Sequence, residues 1–144
     1  MEQVNVNISE QALEAKDLRR DRMEVLRRRL ELLSGRDKVL MTMYVEKGGS
    51  FRQIARLRGV SEASVARRVH QLTERLIHGK FLMCVRNRDR LSGRQMALAR
   101  DAFLTGLSLR QIAVKRRMSV YAVRKELADI RKRIRETRPA LSLR

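Results

Sequence analysis

Arginine and lysine side chains dominate the chemistry that this sequence offers. The 144 residues include 27 Arg and 7 Lys against 16 acidic residues, which gives a formal net charge of +18. The net charge is +8 in residues 34–90 and +10 in residues 91–144, whereas the charges of residues 1–33 sum to zero. Such a field attracts polyanions, and a guanidinium group can hold a phosphate or a guanine through two parallel hydrogen bonds. This chemistry indicates a nucleic-acid partner.

The other reactive side chains form no recognisable catalytic or metal-binding pattern. His70 and His78 have no cysteine or carboxylate partners at ligand spacing, and Gly48-Gly49 lacks the Lys-Ser/Thr of a phosphate-binding loop. The single cysteine, Cys84, excludes an internal disulfide, and no CxxC motif or Cys/His cluster suggests a zinc site. We therefore expect no enzymatic activity, no cofactor and no metal.

The sequence also lacks the features of an exported or membrane-bound protein. The N-terminal segment has no basic flank followed by an apolar core, and no run of 18 apolar residues occurs. We expect a soluble cytoplasmic protein in a reducing compartment, associated with the nucleoid and without a membrane partner.

An internal duplication organises the chain. Without a gap, residues 33–77 and residues 91–135 share 15 of 45 residues, and both begin with Leu-Ser-Gly-Arg. A period of 58 residues repeated twice is typical of two small tandem domains rather than of a solenoid. With only 3% aromatic residues, their cores must be aliphatic.

Each copy predicts three helices separated by capping and turn residues. In the first copy, the predicted N-caps are Ser34, Ser50 and Ser61, and Gly59 is expected to end the second helix. We expect Val39, Leu40, Met43 and Tyr44 to face inward on the first helix. On the third helices, a 4-3-4 spacing predicts one buried stripe each, made of Val65, Val69, Leu72 and Leu76 and of Val123, Leu127, Ile130 and Ile134. The second copy has Ser92, Ser108 and Ser119 as caps and Arg117 in place of the turn glycine.

The predicted organisation is therefore all-α, an N-terminal helix followed by two tandem three-helix units of helix-turn-helix type. Residues 1–33 form an arm and a helix that begins at Ser9 and carries an apolar stripe through Leu26 and Leu30. This stripe packs on the first repeat or, alternatively, forms a dimeric coiled coil. We predict that the first unit spans residues 34–79 and the second unit residues 92–138. Residues 80–91 form the connector between them, and residues 139–144 form a tail after the end of the last helix.

The segments RQIARLRGVSEASVARRV and RQIAVKRRMSVYAVRKEL resemble the helix-turn-helix of RNA polymerase sigma factors, in the C-terminal domain that reads the minus-35 promoter element. More loosely, they are similar to LuxR-type regulators. The resemblance implies a bacterial DNA-binding protein whose third helices enter the major groove. If both third helices face one side, they should meet sites about 34–36 Å apart.

The resemblance also assigns site residues. Base edges would be met by Glu62, Ala63, Ala66, Arg67, Val120, Tyr121, Arg124 and Lys125. Phosphates would be held by Arg52, Gln53, Arg68, Arg75, Arg110, Gln111, Arg131 and Arg133. The Arg-Glu pair that opens this helix in primary sigma factors is absent, because Glu62-Ala63 and Val120-Tyr121 occupy its place.

Three functions remain open for this sequence. The first is a transcription regulator that binds specific double-stranded DNA, with duplex DNA favoured over RNA and over single strands because aromatic residues are few. The second is a sigma-like accessory protein that docks on RNA polymerase as its partner. The third is the DNA-binding subunit of a transposase or recombinase. The sequence leaves the oligomeric state and the sign of regulation open.

Overall fold

Helices account for the whole regular structure of the described chain. The computed structural model describes the backbone of residues 2–142 and the side chains of residues 10–135. Helices hold 84% of the residues, and no β-strand occurs in this range, so the predicted all-α class is confirmed. No helix there is both long and apolar enough to cross a bilayer. The chain divides into two compact units, Met1–Val69 and His70–Arg144.

The first unit contains three helices and the start of a fourth. In chain order these are α1 (Glu2–Arg29), a 3₁₀ turn (Leu30–Leu32), α2 (Gly35–Val45), α3 (Phe51–Arg58) and the first part of α4 (Glu62–His78). Leu26 near the C-terminal end of α1 is buried, as is Leu30 in the 3₁₀ turn, and α1 contacts α2. The core of this unit consists of Leu26, Leu30, Leu33, Leu40, Met41, Val45, Ile54, Ala55, Val65 and Val69.

The second unit begins within α4 and contains the remaining helices. These are α5 (Lys80–Arg86), a 3₁₀ turn (Arg88–Arg90), α6 (Gly93–Ala99) continued by a π-helix (Arg100–Thr105), α7 (Leu109–Arg116) and α8 (Val120–Ser142). The connector predicted at residues 80–91 is thus mostly helical, with Phe81 and Cys84 buried. Burial raises the pKa of the Cys84 thiol to about 11, so that it remains protonated at neutral pH.

The two ends of the chain differ from the sequence prediction. Helix α1 starts at Glu2 rather than at Ser9, and neither glycine nor proline occurs before Gly35 to interrupt it. Helix α8 runs to Ser142, past Pro139, because a proline removes one backbone hydrogen bond without always ending a helix. Of the predicted tail, residues 143 and 144 lie outside the described part of the chain, as do the side chains of residues 1–9 and 136–142.

Helix α2 presents a different face to the core from the one we predicted. Met41 and Val45 are buried beside Leu40, whereas Val39 is 54% exposed. Met43 and Tyr44 are only half-buried. The prediction that Val39 faces inward is therefore wrong, because α2 is apolar on several sides and its periodicity does not select one face.

The stripes predicted on the two long helices are confirmed. The side chains of Val65, Val69, Leu72 and Leu76 on α4 and of Val123, Leu127, Ile130 and Ile134 on α8 are all buried. Burying an aliphatic side chain of this size stabilises the fold by about 1.5–3 kcal/mol. These stripes therefore orient both helices and leave the opposite faces to solvent.

A left-handed residue ends the short helix before each long one. Gly59 has φ 67° after α3, and Arg117 has φ 55° after α7. A side chain in this region of φ and ψ is strained by about 1 kcal/mol, and glycine is not.

A third left-handed residue, Gly106, ends the π-helix at φ 82°. The Arg75 guanidinium lies directly against Gly106 and donates to the carbonyl oxygens of Leu104 and Thr105 at 3.2 and 3.1 Å. An added Cβ at Gly106 would lie 2.6 Å from Arg75 Nη1. Gly106 therefore meets two requirements at once, its positive φ and the space that Arg75 occupies.

Substitutions at Gly59 and Arg117, in the turns before the two long helices, should have opposite effects on the free energy of unfolding. Gly59→Ala should lower the free energy of unfolding by about 1 kcal/mol, whereas Arg117→Gly should raise it by up to about 1 kcal/mol. Urea unfolding followed by circular dichroism measures both. Gly93→Ala is the control, since Gly93 starts α6, lacks a positive φ and has open space beside it. A loss of stability in Arg117→Gly would show that the arginine side chain itself holds the turn.

Candidate nucleic-acid interface

The first candidate module consists of α3, the turn at residues 59–61 and α4. A capping box starts α3, because the Ser50 amide donates to Gln53 Oε1 and the Gln53 amide donates to Ser50 Oγ, both at 3.1 Å. The turn is held by the Val60 amide, which donates to the Ala55 carbonyl at 3.1 Å. Ser61 Oγ accepts from the Ser64 amide at 3.1 Å and caps α4. The first turn of α4 thus has a fixed position relative to α3.

The second candidate module, formed by α7, the turn at residues 117–119 and α8, uses the same contacts. Ser108 and Gln111 form a capping box with distances of 2.8 and 3.2 Å. The Met118 amide donates to the Ala113 carbonyl at 2.9 Å across the turn. Ser119 Oγ accepts from the Ala122 amide at 3.0 Å at the start of α8. Of the caps predicted within the two repeats, all except Ser34 accept a hydrogen bond in the role expected.

The predicted base-reading residues lie in the first turns of α4 and α8. Most are exposed, and Ala66 and Val120 are half-buried. Neither Arg67 nor Arg124 forms an ion pair with any side chain of residues 10–135. Each long helix therefore offers a free guanidinium close to its N-terminal end, where helix-turn-helix proteins meet base edges.

Two of the predicted phosphate contacts occupy equivalent and exposed positions. Arg52 is the second residue of α3, and Arg110 is the second residue of α7. Arg52 Nε lies 4.0 Å from Glu62 Oε2, at the limit of an ion pair, and both side chains are mostly exposed. The position equivalent to Glu62 holds Val120, so Arg110 faces no acid there.

Arg68 is held by a partner within the fold. Its guanidinium forms two hydrogen bonds with the Asp37 carboxylate, at 3.1 and 2.8 Å, which fasten α4 to α2. Arg75, as described above, holds the end of the π-helix. Contact with phosphate remains a prediction for both, and it would compete with these internal contacts.

The remaining predicted phosphate contacts also have internal partners. Arg131 lies over the Phe103 ring at 5.4 Å, and Arg133 bonds the Asp129 carboxylate at 2.9 Å and the Arg90 carbonyl at 2.9 Å. Gln53 and Gln111 complete the two capping boxes. Contact with phosphate stays a prediction for these four residues.

A buried ionic cluster in the second unit was not predicted from the sequence. Asp101 is 1% exposed and accepts hydrogen bonds from Lys115 Nζ at 2.9 Å and Arg116 Nε at 2.8 Å. Burial by itself raises the pKa of Asp101, but the hydrogen bonds and charges of Arg116 and Lys115 outweigh it and hold the pKa below its usual value. A lone carboxylate in the apolar run ALARDAFL is the signal that could have revealed the cluster.

The first unit carries an apolar groove of about 530 Å³ on α2 and α3. Met43, Ile54 and Leu57 are among the residues that line it, and the Leu57 side chain is 76% exposed. Lys47 and Arg56 also line it. Such a groove suits an apolar side chain of a partner rather than a nucleic acid.

Residues 23–76 match the family model of sigma-70, region 4. The match spans the end of α1 through most of α4, and it confirms the predicted resemblance for that segment. The first module is therefore similar to sigma-70 region 4, a helix-turn-helix type that binds DNA in transcription. Comparisons with curated proteins and with solved structures give no match. Among the described side chains, no three of histidine, cysteine, aspartate or glutamate are grouped to hold a metal ion.

The ionic cluster at Asp101 predicts that the free energy of unfolding differs between the unaltered protein and Asp101→Asn, and that this difference depends on pH. Its lowered pKa means that the contribution of this carboxylate is complete above about pH 4 and is lost as the pH falls through the folded-state pKa. Asp101→Asn should lower the free energy of unfolding by about 1–3 kcal/mol at pH 7, and the gap should narrow in acid.

Urea unfolding from pH 7 to pH 3 measures this gap. Asp89→Asn removes an exposed carboxylate of the same unit and serves as the control, with an expected change near zero. A gap for Asp101→Asn that stays constant down to pH 3 would contradict the role of the charge.

Proposed function

We propose that this protein regulates transcription by binding specific sequences of double-stranded DNA, with α4 and α8 each reading a major groove. The free guanidinium in the first turns of each helix, from Arg67 and Arg124, carries the proposal. A bidentate arginine is the commonest side chain to read the O6 and N7 atoms of guanine. The sigma-70 region 4 match supports this role for the first module, and the equivalent caps and turn support it for the second.

The distribution of charge supports a nucleic-acid partner for both modules. The excess charge of +18 lies in residues 34–144, whereas residues 1–33 are neutral. Neutralising phosphates releases counterions, so affinity for DNA should fall steeply as salt rises. Binding without catalysis is part of the proposal, since the interface is built from arginine and not from a nucleophile with a base.

Duplex DNA suits these modules better than single strands or RNA. The major groove of B-form DNA admits an α-helix, whereas that of an RNA duplex is too narrow for its bases to be read. A single-strand binder needs several exposed aromatic rings for stacking. The chain has five aromatic residues in all, and only Tyr121 is a largely exposed ring.

The proposal predicts that Arg67→Ala and Arg124→Ala each weaken binding to a selected duplex by about 1–3 kcal/mol and relax specificity at one base pair. Selection from a random duplex pool supplies the target, and fluorescence anisotropy at several salt concentrations measures the affinity. Lys16→Ala is the control, because Lys16 is an exposed cation on α1, outside both modules.

Two results would contradict the proposal. One is a failure to bind any duplex at low salt, and the other is an affinity that does not change with salt. Loss of binding in Arg67→Ala alone would restrict DNA reading to the first module.

A second candidate function is docking on RNA polymerase. The apolar groove on α2 and α3 favours it, because an exposed Leu57 beside Met43 offers apolar surface that DNA does not use. The sigma-70 region 4 match also associates the first module with the transcription machinery. Both functions can coexist, since base reading and the groove use different residues.

If the groove docks on polymerase, Leu57→Gln should reduce co-purification of polymerase with the tagged chain. Its affinity for duplex DNA should change less than about twofold, because a surface substitution outside the DNA-reading residues has a small effect. Val114→Gln is the matched control, since Val114 is an exposed aliphatic residue on α7 that does not line the groove. Equal co-purification of both variants, or none with the unaltered chain, would exclude the groove as the docking site.

A further inference from the structure

Tyr121 differs from every other aromatic residue of this chain in having an uncovered ring. Its side chain is 70% exposed. Tyr44 stacks on Phe51 with ring centroids 5.6 Å apart, Phe81 is buried, and the Phe103 ring is contacted by the cations of Lys80 and Arg131. No described ring or cation covers Tyr121 in this way.

The start of α8 fixes where this ring lies. The Ser119 cap sets the first residue of the helix at Val120, so Tyr121 belongs to the first turn. Arg124 and Lys125 follow three and four residues later, and therefore lie beside Tyr121 on the same exposed face. In a helix-turn-helix, this turn meets the base edges.

We propose that the Tyr121 ring contacts the 5-methyl group of a thymine, next to the guanine that Arg124 reads. This inference rests on the proposed binding of duplex DNA. Thymine alone presents a methyl group in the major groove, and apolar side chains recognise it by contact. The phenol ring provides the apolar surface, and Val120 adds a half-buried aliphatic neighbour.

The first module has no aromatic side chain at the position equivalent to Tyr121. The residue equivalent to Tyr121, which lies 58 positions earlier, is Ala63, and the residue equivalent to Val120 is Glu62. Ala63 is too short to provide comparable apolar surface, and Glu62 is a hydrogen-bond acceptor. The two modules therefore differ in specificity, and the DNA site is not a direct repeat of one sequence.

Replacing thymine by uracil in the selected duplex tests the contact, because it removes only the methyl group. Each thymine is exchanged in turn, and the affinity of the unaltered protein, Tyr121→Ala and Tyr121→Phe is measured. At one position, uracil should weaken binding of the unaltered protein about threefold to fivefold, the factor expected for burying one methyl-sized group. Tyr121→Phe should keep this penalty, and Tyr121→Ala should lose it.

The outcomes separate this inference from the proposed function. Absence of duplex binding by the unaltered protein would refute the proposed function itself. Binding with the same uracil penalties in the unaltered protein and Tyr121→Ala would refute the thymine contact alone. Loss of the penalty in Tyr121→Phe would assign recognition to the hydroxyl, and tighter binding to single strands would assign the ring to stacking; either result would overturn the inference. Since Tyr121 is exposed, circular dichroism should show all three proteins equally folded.

Discussion

The aliphatic stripe on each long helix is the interaction on which the rest of the structure depends. Four buried residues on α4 and four on α8 supply much of the apolar surface of a chain that has only 3% aromatic residues. At about 1.5–3 kcal/mol for each side chain, neither helix can turn about its axis without a large loss of stability. Because one face is committed to the core, the arginines of the other face remain in solvent at defined positions.

Local features of the sequence were enough to predict much of this arrangement. A serine followed three residues later by glutamine marks the start of α3, α6 and α7, and each pair forms a capping box. The 4-3-4 spacing selects one face of α4 and of α8, because polar residues occupy the other positions. Both signals involve residues that are close together in the sequence, and for that reason they can be recognised before the fold is known.

Other features depend on contacts between distant residues, which no local pattern contains. The segment VLMTMYV of α2 has apolar residues on several faces, so only packing decides that Met41 is buried and Val39 exposed. Arg67 and Arg68 are neighbours of the same type, yet Arg68 is bound to Asp37, 31 residues away, and Arg67 faces solvent. The sequence assigned both arginines to DNA, and it offers no way to tell a free arginine from one that holds two helices together.

The contact of Arg75 with Gly106 limits how the second unit can change in evolution. Any larger residue at position 106 would have to displace the guanidinium, and the carbonyl oxygens of Leu104 and Thr105 would then lose their hydrogen bonds from Arg75. A shorter residue at position 75 would remove that obstacle but would also remove both hydrogen bonds from Arg75 to these carbonyls. The two positions should therefore covary among related sequences, as residues in direct contact do. A search for such relatives can use this pair, in addition to the helix-turn-helix pattern, to recognise the second unit.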